Sequence, residues 1–366
     1  MSASSSLPRL RGRGLELARA LASFPFTAPV VARLVERSLG ISALRRMPRC
    51  FFGDLPDPLR APASRPTRRW AAAGLEIRRA GAHACCDDYM ASYRNGDVTP
   101  IEVVERAFDA IHRLGRGDPS YNLAVCLARD VALQEAEDSA ARIASTPRPL
   151  EGIPYLAKDQ HDVAGLPTPL GSSCQPAAAV RDATTVARLR AAGAIVIGKS
   201  TMTEWGISPI GSNLHTRLPP NPYGPHRAAG GSSTGSAVAV ALGVAPFATA
   251  GDAGGSVRIP AAFNGVVGLK PTFGRVSRFG EAFGGSMHHV GLVATSELDI
   301  GRVLDVIAAT PDPSDPLTLD ALPPWAGSFA SRLGDGVNGL RIGGDETMWD
   351  GTEAHIAGAC RAALAA

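Results

Sequence analysis

Lysine is nearly absent from this chain: of 37 basic residues only Lys158, Lys199 and Lys270 are lysine, and the other 34 are arginine. Arginine does not give up its proton inside a protein whereas a buried lysine can, so each lysine kept against this background is a candidate proton acceptor. The six cysteines, Cys50, Cys85, Cys86, Cys126, Cys174 and Cys360, form no C-x-x-C pair, and the neighbours Cys85 and Cys86 do not fit one ordinary disulfide. A reducing, cytoplasmic setting is therefore expected. The eight histidines show no H-E-x-x-H or comparable ligand spacing, so no metal and no other cofactor is expected. No stretch of about 18 apolar residues runs free of charge, Gly or Pro, which excludes a membrane-spanning helix but leaves attachment to a membrane surface open.

What is present points to a folded chain with sites built on loops. At 366 residues, 45% hydrophobic and 19% charged, it can bury the core of one large or two ordinary domains. Glycine and proline, 40 and 29 residues, stay below the roughly 25–30% of low-complexity sequence, so their abundance needs a local cause. The net charge of +3 hides an asymmetry, because residues 1–80 carry 15 arginines against five acidic residues. Within that zone, 15–23 and 29–39 have helical periodicity around Phe24-Pro25, and 55–67 holds four prolines and reads as an extended strap. Residues 1–86 are thus expected to form an Arg-rich helical extension and strap, with a domain over 87–366.

Inside that domain Thr99-Pro100-Ile101-Glu102 combines an N-cap, a proline at the first helical position and a capping-box glutamate, predicting a helix over 100–114. A second helix is predicted over 126–145, a third over 183–192, and an apolar strand over 194–197; helices alternating with short apolar strands suggest an α/β fold. Two phosphate-type patterns fail on context. Gly193 to Ser200 fits the literal P-loop spacing, but its middle residues are the predicted strand and leave no loop to wrap phosphate. Gly334 to Gly339 fits a dinucleotide fingerprint but precedes a strand-like Leu340-Arg-Ile342 instead of following one.

Gly231-Ser-Ser233-Thr-Gly235 has the spacing of a nucleophile elbow, which would make Ser233 the nucleophile with His288 or His289 as its base. An elbow needs a strand just before it, and residues 221–230 read as a loop. The wider stretch 228–260 has seven glycines and otherwise mostly small residues around a short buried helix. Two serine-bearing glycine loops bracket that helix, Gly230-Gly231-Ser232-Ser233 and Gly251-Asp252-Ala253-Gly254-Gly255-Ser256. Successive N–H groups of the second could line an anion nest suited to an oxyanion; the competing reading is a pair of tight turns.

These two loops, followed by Gly265-Val-Val-Gly-Leu-Lys-Pro-Thr-Phe-Gly-Arg-Val-Ser277, resemble the signature of the amidase signature hydrolases. Gly152-Ile-Pro-Tyr-Leu-Ala-Lys158-Asp resembles the catalytic lysine segment of that family, and Gly198-Lys-Ser-Thr-Met-Thr-Glu204 a further block, so the likeness runs from about residue 87 to the end. It implies an α/β fold with a mixed central sheet covered by helices on both faces. It also implies hydrolysis of a carboxylic amide by an acyl-forming Ser256, a bridging Ser232 on a cis peptide bond, and Lys158 as base. Ser-Lys pairs are an accepted variant of the triad when burial keeps the lysine neutral, and a hydroxyl between them can pass the proton. Backbone N–H groups of Ala253, Gly254, Gly255 and Ser256 would form the oxyanion hole, with Ser233, Asp252 and Arg258 in support. Where many relatives carry Thr-Asp-Thr, this chain has Gly251-Asp252-Ala253, a change expected to tune the site.

The resemblance also frames the expected partners. A small-molecule amide is the expected substrate and no nucleic-acid partner is expected; the alternatives are a non-catalytic scaffold and an amidotransferase A-like subunit. Residues 1–80 loosely resemble the N-terminal extension of plant-type fatty acid amide hydrolases, which suits lipid or bulky apolar amides and contact with an anionic membrane surface. An arm packing on its own domain or in a homodimer fits equally, and a cleaved transit peptide is a lesser alternative. Family members continue past the stretch resembled by Leu340-Arg-Ile-Gly-Gly344, and a helical pattern from about Thr352 runs to Ala366. A catalytic domain lacking its C-terminal part, with low stability and weak turnover, is therefore expected.

Overall fold

Thr99 opens a helix in the way its neighbours dictate. Its Oγ1 accepts from Glu102 N (3.2 Å) while the Glu102 carboxylate accepts from Thr99 N (2.8 Å), and Pro100 occupies the first turn, where no N–H is needed. The computed structural model describes residues 84–283, 285–318, 327–336, 339–341, 343–349 and 351–365. The helices expected at 15–23 and 29–39, the strap at 55–67 and Cys50 lie outside the described residues. Those up to 336 belong to one compact unit and those from 339 onward to another, and each is described by itself.

The first unit contains α1 (Cys86–Asn95), α2 (Pro100–Arg116), β1 (Ala124–Leu127), α3 (Arg129–Ile143), β2 (Pro154–Lys158), α4 (Thr184–Ala191), β3 (Ile195–Ser200), α5 (Thr234–Ala241), β4 (Phe247–Asp252), α6 (Arg258–Asn264), β5 (Val267–Leu269), β6 (His289–Ala294) and α7 (Glu297–Ile307). The second contains α8 (Ala354–Ala365), where Arg361 pairs with Glu346 at 2.9 Å. The helix predicted over 126–145 is corrected at its start. Cys126 pairs with Lys199 in an antiparallel ladder and Ala128 N donates to Ile197 O (3.0 Å), so the helix begins at Arg129. A four-residue strand fixed by a partner about 70 residues away leaves no local periodicity to read. The strand predicted over 194–197 runs on to Ser200, taking Gly198 and Lys199 into the sheet. Leu340 and Arg341, read as strand-like, belong to no strand among the described residues.

The described strands form one six-stranded mixed sheet in the order β1-β3-β2-β4-β6-β5. Its centre, β3-β2-β4, is parallel, and β1, β6 and β5 add antiparallel pairs at the edges. Side-chain alternation divides the interior into two cores. Tyr155, Ala157, Val196, Phe247, Val290 and Leu292 face one way, against α1, α4 and α7. Leu156, Ile195, Ile197, Ala248, Ala250 and Val293 face the other way, against α2, α3, α5 and α6. Every residue of β2, β3, β4 and α5 is buried. No helix among the described residues is long and apolar enough to cross a membrane.

Buried on all sides, α5 passes close to its neighbours because its residues are small. A methyl group on Gly235 would sit 2.6 Å from Thr201 N and 2.7 Å from Leu123 O. Helix propensity favours Ala over Gly by about 1 kcal/mol, but forcing a methyl against backbone costs about 1–3 kcal/mol or more. Gly235→Ala is therefore expected to lower the stability of the chain in urea unfolding; an unchanged or raised midpoint would contradict this packing.

Candidate active site

The carboxyl ends of the three parallel strands meet on one side of the sheet, where open α/β sheets characteristically hold their ligands. Lys158 closes β2 there. Its backbone N donates to Thr249 Oγ1 of β4 (3.1 Å), and its Nζ donates to Ser232 Oγ (2.8 Å) and to Gly251 O (3.4 Å). The side chain is 1% exposed. Burial pushes the amine down to about 7, against the opposing pull of the Glu281, Asp252 and Asp159 carboxylates.

Ser232 comes from the loop before α5, and the Gly231–Ser232 peptide is cis. Glycine is required on both sides of this hydroxyl. A methyl on Gly231 would lie 2.6 Å from Ser208 O, and one on Gly206, at φ 68°, would lie 3.4 Å from Ser232 Oγ and 3.6 Å from the Phe283 ring. Ser233 is fully buried. Its N–H donates to Ser256 O (3.2 Å) and its hydroxyl meets only the Gly251 peptide (3.4 Å), so it ties the two glycine loops together. The nucleophile-elbow reading fails here: a loop precedes Ser233 and no described histidine reaches it. His288 turns to Glu281 and Gln160, and His289 Nδ1 lies against the carbonyls of Asp252 and Met287.

The second loop follows β4 and is held from inside. Asp252 accepts from Gly255 N (2.8 Å), from Val257 N (3.2 Å) and from Arg258 through Nε and Nη2 (3.1 and 3.0 Å). Burial raises its carboxyl, but these donors and the Arg258 charge outweigh it and bring the group below its usual range. Of the four N–H groups expected to face an oxyanion, that of Gly255 is committed to Asp252. The N–H groups of Ala253, Gly254 and Ser256 have no hydrogen-bond partner among the described residues, and neither does Ser256 Oγ. Ala253 and Gly254 are exposed and Ser256 is half-buried.

The other lysines do different work. Lys199 Nζ pairs with Asp159 (3.1 Å) and donates to Pro167 O and Thr168 Oγ1 (both 2.8 Å), bracing the segment beyond β2. With β3 fully buried, the P-loop pattern holds no phosphate cradle. Lys270 Nζ donates to Pro271 O. Three groups escaped the sequence reading, Gln160, His161 and Glu281. His161 Nδ1 abuts Glu281 Oε1, and the other Glu281 oxygen accepts from Gln160 Nε2 (2.9 Å) and faces His288 Nε2 (3.5 Å). Burial would raise Glu281, but His161 and His288 prevail and bring it to about 2. The position of Gln160 and His161 just after Lys158 was a usable signal; nothing in the sequence marked Glu281. No cluster of His, Cys, Asp or Glu among the described residues is arranged to hold a metal ion.

An amidase family model matches residues 102–366. The chain belongs to the amidase signature family. It is 40% identical over 260 residues, 70% of its length, to the A-subunit of the Thermus thermophilus glutamyl-tRNA(Gln) amidotransferase, and 35% identical over 74% of its length to the Maridesulfovibrio salexigens protein of the same name. It spans about half of each relative, 52% and 55%. Among solved structures, the peptide amidase of Stenotrophomonas maltophilia superimposes with a TM-score of 0.64 at 34% identity, over 69% of this chain and 53% of that one.

The buried amine has a consequence for stability. Unfolded, Lys158 keeps its proton up to its ordinary value of 10.5; folded, it sheds it near 7, so unfolding takes up a proton between these values. Stability therefore rises with pH across that window, the cost of the buried charge being full below it and gone above it. Wild type is expected to gain on Lys158→Met in urea unfolding as pH climbs from about 7 to 10.5. A constant gap would mean that the folded amine keeps its proton.

Proposed function

We propose that this chain hydrolyses a carboxylic amide to an acid and an amine or ammonia through an ester on Ser256. The observation that carries the reading is the 2.8 Å contact between the buried Lys158 amine and Ser232 Oγ, one residue before the N–H that holds Ser256 O at 3.2 Å. An amine that sheds its proton near 7 is a base at neutral pH, which an ordinary lysine is not. Deprotonated Lys158 takes the proton of Ser232 while Ser232 takes that of Ser256, and Ser256 Oγ attacks the amide carbon. The Ser256 hydroxyl, with no hydrogen-bond partner among the described residues, is free to turn toward Ser232. The negative charge that develops on the substrate oxygen meets the uncommitted N–H groups of Ala253, Gly254 and Ser256, fixed by the hold of Asp252 on their loop. The proton returns through Ser232 to the departing amine, and water then repeats the sequence on the ester. Phe283, across Gly206 from Ser232, gives the approach an apolar wall, which suits bulky apolar acyl groups.

A second reading is favoured by the names of the curated relatives. As an amidotransferase A-like subunit, the chain would pass its amine to a catalytic partner instead of releasing it. Release of amine from simple amides by the isolated chain separates the two.

Ser256→Ala is expected to abolish covalent labelling by a fluorophosphonate. Lys158→Ala and Ser232→Ala are each expected to cut amide turnover by about 10³-fold or more, with double variants scarcely worse than singles. In wild type kcat/KM is expected to rise through about pH 7 as Lys158 loses its proton. Labelling that survives Ser256→Ala would overturn the assignment of the nucleophile.

A further inference from the structure

Beside the turn that follows Lys158, where Gln160 N and His161 N donate to Lys158 O, lies a buried polar group that the proposed reaction does not use. The Glu281 side chain is fully enclosed, with His161 against one oxygen and His288 and Gln160 at the other. Gln160 joins this group to the lysine. Its backbone N–H donates to Lys158 O (2.7 Å), its carbonyl accepts from Ala282 N (3.0 Å), and its amide lies flat on Gly251, where a methyl would come within 2.0 Å of Nε2. The carbonyl of that same Gly251 accepts from Lys158 Nζ. Glu281, Gln160, Gly251 and Lys158 thus form one packed path in a medium where charges act strongly.

We propose that Glu281, clamped by His161, His288 and Gln160, is a positioning residue that sets the proton affinity of the Lys158 amine. The other carboxylates near this lysine are each paired with a basic side chain, Asp252 with Arg258 (3.0 Å) and Asp159 with Lys199 (3.1 Å). Glu281 instead answers to two imidazoles and the Gln160 amide. Of the carboxylates that oppose the burial of Lys158, Glu281 acts most strongly, ahead of Asp252 and Asp159. As an anion it holds a proton on the amine that burial alone would expel.

The proposal rests on Lys158 as the base of the amidase reading, but its test needs no turnover. With three lysines in the chain, labelling lysine with ¹³C at the ε-carbon gives a spectrum simple enough to assign by Lys158→Met and Lys270→Arg and to titrate directly. In Glu281→Gln the Lys158 midpoint is expected to fall by about one pH unit or more, while Lys199, braced by Asp159, stays in place as an internal control. A triple variant, H161L/E281M/H288L, removes the charge together with both imidazoles and leaves only the neutral Gln160 amide of the cluster, and is expected to shift Lys158 in the same direction. An unmoved Lys158 in either folded variant, a Lys199 that moves as far, or failure of both variants to fold would overturn the proposal and leave the cluster a structural brace. Loss of fluorophosphonate labelling with the titration intact would instead count against the amidase reading alone.

Discussion

A primary amine held out of water at the end of a central strand is the constraint around which this structure is arranged. Lys158 could be left charged on the surface at no cost. Burying it takes a strand with hydrogen-bonded neighbours on both sides, a hydroxyl and a carbonyl at its tip, and carboxylates near enough to offset part of the desolvation. The parallel trio β3-β2-β4 meets the first need, because strands buried on both faces bring their carboxyl ends to one dry edge. The small-residue helix α5 meets the second by letting the Ser232 loop descend onto the sheet.

The acidic groups near that edge are separated by partner, not by distance in sequence. Asp252 is spent on shaping a loop: it gathers two N–H groups and a guanidinium, and so fixes the direction of the N–H groups left over. Asp159 is spent on Lys199, which anchors the chain leaving β2. Among the described residues Glu281 pairs with imidazoles and an amide and with no arginine or lysine, and this sets it apart from the other two. Three carboxylates of similar chemistry therefore give three different fields at one amine.

Relatives of this chain range from a peptide amidase to one part of an amidotransferase. Such a spread follows when the reacting groups sit on strand ends and glycine loops that the core fixes, and the walls of the site come from surrounding loops free to vary. Near Ser232 such loops bring Phe283 and the segment around Trp205, whose φ of 51° places a bulky residue in the left-handed region beside Gly206.

Local order was legible in the sequence where its cause is local. The Thr99-Pro100-Glu102 signal placed α2 to within two residues of its end, and the family resemblance of the glycine-serine loops and of the lysine segment singled out Lys158, Ser232 and Ser256 as candidates. The resemblance carried by those loops gave the mixed sheet and its two helical layers. What the sequence could not contain is pairing across distance. β1 exists because Cys126 lies beside Lys199, a contact no window of periodicity spans. Which of Lys158, Lys199 and Lys270 meets a serine was decided by strand order, since an amine loses its proton according to what surrounds it and not to its neighbours in the chain. The commitment of the Gly255 N–H to Asp252, and the assembly of His161, Glu281 and His288 from segments more than 100 residues apart, belong to the tertiary structure alone. Hydrogen bonds and buried charges are settled by proximity, and only the fold supplies it.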